Sequence, residues 1–175
     1  MTGDKIDSRS PVFVSYQQRD GAKTAERAAW LLRAAGVPVW HDQSDLPPGD
    51  TNERLAEALA SGLSGGVLLV TPDISASHVV RAIEVPKLLG LEKDPAFVLA
   101  VGNTVRLSDG KLDYDAPDAL LGTPSGTLGR LKQHGADGRA GLAKIARERL
   151  RVAARLRARH RRPPGRVPAG RDQEP

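Results

Sequence analysis

The chain is predicted to fold as a doubly wound α/β domain, a parallel sheet with helices on both faces, and three observations carry that prediction. Four short apolar runs, at residues 11–16, 37–40, 65–71 and 97–101, have the length and composition of strands. The stretches between them carry helical periodicity or helix-capping residues. The third run, Gly66-Val67-Leu68-Leu69-Val70, is apolar at every position rather than at alternate ones. That pattern belongs to a strand covered on both faces.

Taken in order, Pro11-Val12-Phe13-Val14-Ser15-Tyr16 is the first strand, closed by a polar turn over residues 17–20. A helix over about residues 22–35 places Ala25, Ala28, Ala29, Trp30 and Leu32 on overlapping faces, with Gly36 suited to its C′ position. Pro38 in the second strand favours a sheet edge or a strand start. Residues 41–50 hold two prolines and no periodicity, hence a loop; Asp50 or Thr51 would cap the next helix, whose stripe is Leu55, Leu59 and Leu63. After the third strand and the turn Thr71-Pro72-Asp73 comes a helix that contains Glu84 and that Pro86 is expected to distort or end.

The pattern weakens over residues 102–139, where only 126–131 hint at order. A last helix over residues 142–160 offers Leu142, Ile145, Ala146, Leu150, Ala153 and Leu156 as a buried stripe. These readings divide the chain into a flexible N-terminus (1–10), one domain (11–140), a basic C-terminal helix (141–160) and a disordered Arg/Pro-rich tail (161–175).

Composition limits the functions available. A length of 175 residues suits one domain, and with aromatics at 3% the core must be built from Ala, Val, Leu and Ile. The absence of cysteine excludes disulfides, thiolate metal sites and a Cys nucleophile. Residues 1–10 have no apolar signal region, and no stretch reaches the ~18 apolar residues of a membrane span. A cytoplasmic protein without membrane contact is therefore expected.

The net charge of +5 conceals two halves. Residues 139–175 carry twelve Lys/Arg against three Asp/Glu, leaving a balance of −4 on the rest. The basic end has no aromatics for base stacking and no nucleic-acid module, so a solubilising extension is expected rather than a nucleic-acid contact.

Most chemical motifs are missing. No P-loop is present, and Gly65-Gly66 precedes a strand instead of following one. Asp42, Asp45 and Asp50 lack EF-hand spacing, and His41 has no partner at metal-ligand spacing, so no metal is expected. Ser75 and Ser77 read as helix-start residues, not nucleophiles, because no base pairs with them. Glu84 stands out: a carboxylate on the helix after a buried strand lies where α/β sheets bind ligands, outside the carboxyl ends of their strands. The competing reading is a solvated carboxylate paired with Arg81 or Lys87.

Four segments in order resemble the TIR (Toll/interleukin-1 receptor) domain family. They are Val12-Phe13-Val14-Ser15-Tyr16 with Arg19-Asp20, Val39-Trp40-His41-Asp42 with Leu46-Pro47-Pro48-Gly49, residues 67–72, and residues 77–84. The resemblance spans about residues 11–101 and implies a flavodoxin-like fold. It further implies one of two functions. The first is cleavage of NAD+ at its nicotinamide–ribosyl bond, switched on by self-assembly in bacterial anti-phage defence or signalling. The second is a non-catalytic module that assembles through protein–protein contacts of the BB loop.

Under the first function Glu84 is the catalytic carboxylate, and the leaving nicotinamide, departing neutral, needs no general acid. Ser15, Tyr16 and Arg19 would contact ribose or phosphate, and Trp40 would stack on a ring. The plainer alternatives are that Tyr16 packs, Arg19 pairs with Asp20, and Trp40 fills core or interface. NAD+ would be the substrate, with no separate cofactor. Homo-oligomers would form through TIR–TIR contacts at Asp42, Leu46, Pro47, Pro48 and Gly49. Because related effectors carry a sensing module after the TIR domain, the resemblance implies a separate sensor protein or a longer parent chain. One position departs from the family pattern: many catalytic members have an aromatic residue about one helical turn before the glutamate, where this chain has Val80, or Val79 in the adjacent register.

Overall fold

The computed structural model of the chain describes residues 10–41 and 62–160. Five parallel strands form one sheet in the order β2-β1-β3-β4-β5, with β1 Val12–Ser15, β2 Val39–Trp40, β3 Gly65–Val70, β4 Val98–Asn103 and β5 Gln133–Gly135. The predicted doubly wound α/β class is what the chain adopts, and the strand order is the flavodoxin-like one. Successive side chains of each strand face opposite sides of the sheet. Phe13, Leu68, Val70, Leu99 and Val101 therefore feed one core cluster, while Val12, Val14, Val67, Leu69 and Ala100 feed another.

The second cluster is covered by α1 (Gln18–Ala34) and by the helix that closes the described chain. The first is covered by the segment that carries Glu84, continuing as α2 (Val85–Glu92), and by α3 (Ala116–Leu121). Gly66 lets α2 lie close on the sheet, since a Cβ there would stand 2.7 Å from Leu88 Cδ2.

α1 begins four residues before its predicted start. The polar stretch taken as a turn is its first turn, capped by Gln17 Oε1, which accepts from the Gln18 N–H at 2.8 Å. It ends as predicted at Gly36, with φ +76°; the Gly36 N–H donates to Arg33 O and the Val37 N–H to Leu32 O, a Schellman closure. Ala25, Ala28, Ala29 and Leu32 are buried, but Trp30 is 62% exposed. A narrow small-residue stripe suffices against the sheet, and Trp30 falls outside it.

Pro86 does not end its helix, which runs on to Glu92. A π-helical turn over Val80–Glu84, in which the Val85 N–H reaches back to Val80 O, comes immediately before it. The wider turn splays the carbonyls that the proline ring would otherwise strike, and proline's missing N–H falls in the first turn of α2, where its loss costs least.

Over residues 102–139 the sequence showed little and the structure holds two elements, α3 and β5. The last helix, α4 (Arg139–His160), buries Leu142, Ile145 and Ala146 on the sheet, whereas Leu150 is exposed. Among the described residues no helix is long and apolar enough to cross a membrane.

Candidate functional site

The order in which strands are added to the sheet reverses between β1 and β3, and the crevice beyond their carboxyl ends is the position where doubly wound sheets bind ligands. Ser15 is the last residue of β1 and is fully buried. By alternation it shares a face with Phe13, the face covered by the Glu84 segment. Ser77 starts that segment: its Oγ accepts from the Val80 N–H at 3.3 Å and its carbonyl from the Arg81 N–H at 3.2 Å. The π-helical turn follows, and its extra residue rotates the side chains beyond it relative to an α-helical course.

Glu84 lies at the end of that turn. It is 9% exposed, and Ser15 Oγ donates to its Oε2 at 2.5 Å across 69 residues of sequence. It is thus not a solvated helix carboxylate, and Arg81 instead donates from Nη1 to Ser75 O at 3.4 Å. Burial pushes the Glu84 carboxyl up to about 7, opposed by the hydrogen bond from Ser15, which favours the ionised form.

The other sequence-selected residues separate by face. Trp40 stands opposite Phe13 in the β1–β2 register and packs on the cluster that Phe13 and Val80 share, on the side of Ser15 and Glu84. Tyr16 goes to the opposite face, against the α1 cluster, and stacks on His41 with ring centroids 6.1 Å apart and planes at 19°. Gln18 Nε2 donates to the Tyr16 hydroxyl at 3.0 Å.

Arg19 is largely exposed and pairs loosely with Asp73, at 3.6 Å, rather than with Asp20. Asp20 is occupied elsewhere: its carboxylate accepts from Thr71 Oγ1 at 2.7 Å and from the Asp73 N–H at 2.9 Å. Asp42, Leu46, Pro47, Pro48 and Gly49 lie outside the described residues. Val80 is buried in the core, so no ring stands at the position one turn before Glu84.

Two residues that the sequence named without giving them a place in the site belong to this region. Asp20 fastens the turn after β3 to the start of α1, and His41 supplies the ring against Tyr16. Position relative to strand ends was the available signal: His41 directly follows β2, and Asp20 sits in the first turn after β1. Among the described residues no group of three or more His, Cys, Asp or Glu is placed to hold a metal ion.

The profile of the TIR domain matches residues 12–102, just over half of the chain. An NAD(+) hydrolase of Paracoccus denitrificans is 41% identical over 61 residues, 34% of this chain and 20% of that protein, so the chain spans about a fifth of that relative's length. A solved structure, the rubredoxin oxygen:oxidoreductase of Desulfovibrio gigas, aligns with 91% of this chain and 38% of its own, at 11% identity and a TM-score of 0.44. That likeness is too weak to bear on function.

Proposed function

The chain belongs to the TIR-domain family, and from that footing we propose that it is an NAD+ hydrolase in which Glu84 is the catalytic carboxylate. The observation that carries the proposal is the hydrogen-bonded pair of Ser15 and Glu84, nearly dry, at the switch point of the sheet. The name of the Paracoccus relative supports the substrate.

Breaking the nicotinamide–ribosyl bond leaves positive charge on the ribose ring, shared between C1′ and the ring oxygen. A carboxylate in a water-poor site stabilises that charge far more than one in bulk water. The bond's electron pair leaves with nicotinamide, which departs neutral; water then adds to C1′ and releases a proton, giving ADP-ribose. No separate cofactor enters the scheme.

Ser15 holds the carboxylate in place and favours its ionised form. The cationic pyridinium ring of bound NAD+ favours it further, so substrate binding and ionisation of Glu84 support one another. Trp40, on the same face, is the aromatic nearest in role to the missing ring at Val80. Self-assembly through residues 42–49 completes the proposal as the step that raises activity, with a separate sensor protein as its trigger.

A second reading has one observation in its favour. Val80 fills core where catalytic members of the family often carry an aromatic, which suits a module that only assembles.

The deciding experiment is NAD+ consumption by concentrated protein, wild type beside Glu84→Gln, with chromatography of the products. The catalytic reading expects nicotinamide and an ADP-ribose product from the wild type alone. No consumption by either protein when assembly is forced by tethering would leave the assembly module as the function.

A further inference from the structure

We infer that the groove running along β5, from its carboxyl end back to Lys132 and across the sheet from Glu84, is a second binding site, for a phosphate-bearing nucleotide. Two adjoining cavities of about 280 and 470 Å³ lie there and share His134 and Lys144 as wall residues. That space suits a nucleotide, since small-molecule sites run to roughly 300–1,000 Å³.

Charge and its pairing point to an anion. Five cations line the two cavities, on a body whose residues before Arg139 sum to −4. The two acids among them are already taken. Asp137 accepts from Arg106 Nε and Nη2 at 3.1 and 2.5 Å. Glu148 accepts from Lys132, and from His134 at 2.9 Å. Burial alone would raise the Glu148 carboxyl, but the hydrogen bonds and charges of Lys132 and His134 hold it below the usual range, so it stays an anion committed to those partners. Lys144 and Arg147, one turn apart on α4, enter no ion pair among the described residues. They share a helix face, and both line the cleft.

The floor is built before any ligand arrives. Asn103 Nδ2 donates to Gln133 Oε1 at 2.9 Å and to Asp113 O at 2.6 Å, and Gln133 Nε2 donates to Tyr114 O at 2.8 Å. This buried network pins the loop from which Arg106, Lys111 and Tyr114 enter the cleft, so little ordering entropy is lost on binding. Tyr114 lines the larger cavity with 57% of its surface exposed, an aromatic side chain available to a base. Phosphates then sit at Lys144 and Arg147, and the base on Tyr114. The site is independent of whether Glu84 is catalytic.

The test titrates the full chain with ADP and with pyrophosphate by calorimetry, and follows ADP in amide NMR spectra to locate it. ADP is expected to bind with a Kd below about 1 mM and to shift the amides of Gly135 and Gly141. The paired change Lys144→Ala with Arg147→Ala should weaken both probes at least about tenfold. Tyr114→Ala should weaken ADP about tenfold and spare pyrophosphate, with Tyr114→Phe restoring ADP. These side chains are exposed, and retained circular dichroism would show the variants folded. ADP shifts confined to the amides of Ser15 and Thr71, or ADP affinity unchanged in the paired variant, would overturn the site.

Discussion

Two carboxylates sit under the same face of the sheet and end in opposite electrostatic states. Glu84, at the end of the π-helical turn, is 9% exposed and receives a hydrogen bond from Ser15 Oγ; its pKa is pushed up to about 7. Asp118, in α3, is 5% exposed. It accepts from Thr123 Oγ1 at 2.5 Å, from the Leu128 N–H at 2.7 Å and from the Gly129 N–H at 3.1 Å. Burial would raise Asp118 too, yet these bonds, with a further one from the Gly126 backbone, bring it below its ordinary value. Burial alone therefore does not set the charge state: at Asp118 the donors outweigh it, and at Glu84 a single donor does not. Asp118 is an anion that holds the loop after α3 together. Glu84 is left under-solvated, which costs stability and is the condition a catalytic carboxylate needs.

Neutralising each carboxylate is the strongest way to test that contrast. Glu84→Gln should lower NAD+ turnover by more than about a hundredfold. The same change should stabilise the fold in alkaline buffer. A carboxyl whose folded pKa of about 7 exceeds its unfolded 4.5 binds its proton more tightly when folded, so its penalty is absent below the unfolded value, grows as pH rises, and is complete above about 7. The gain in the variant should be about 3 kcal/mol near pH 9 and close to zero near pH 4, read from denaturant unfolding at both. Equal unfolding midpoints at high pH would mean that Glu84 is solvated after all.

Asp118→Asn should act in the opposite sense and cost about 1–3 kcal/mol near neutrality, because an amide cannot accept from all the donors the carboxylate serves. For a lowered pKa the stabilisation is present above the unfolded value of 3.8 and is lost as pH falls through the folded one. The deficit of the variant should therefore shrink in strong acid. A deficit that is constant with pH would make Asp118 a packing residue.

The sequence displayed these two regions unequally. Glu84 was legible because an apolar β3 and a helix placed it beside the crevice, but its partner Ser15 was legible only as a strand end; the separation of 69 positions between them is closed by the fold. Asp118 left no mark, since its partners are mostly backbone N–H groups of a loop that no periodicity reveals. β5 escaped for a similar reason: Gln133-His134-Gly135 is a polar three-residue edge strand, paired on one side only, and its burial comes from α4 and the Asn103 network. β1, β3 and β4 were legible because strands covered on both faces must be apolar throughout. The start of α1 was misread because polar capping residues and polar turn residues are the same types.

Backbone geometry gives the next prediction. Pro86 supplies no N–H to the turn before it, which favours the π-helical course that sets the direction of Glu84. Pro86→Ala restores that donor and removes the ring, so the segment can relax to an α-helical course and carry the carboxylate away from Ser15. Turnover should fall about tenfold, since catalysis of this kind depends on placement to within an ångström. Global stability should hold or rise slightly, because alanine is the better helix former. Unchanged turnover would assign the π-helical turn to packing alone.

The smallest change bears most directly on the number of donors. Ser15→Ala deletes one hydroxyl from a fully buried position and leaves the Glu84 carboxylate without the bond that favours its charge. With desolvation then unopposed, the Glu84 pKa should rise further above about 7. A hydrogen bond to a charged group worth roughly 1.5 kcal/mol corresponds to about one pKa unit. The midpoint of the rise in kcat/KM with pH should move to higher pH by about that amount. Well above the midpoint, where Glu84 is ionised in both proteins, the two rates should approach one another within a few-fold. A loss of rate that is the same at every pH would show that Ser15 acts by placing the carboxylate or touching the substrate rather than by setting the charge of Glu84.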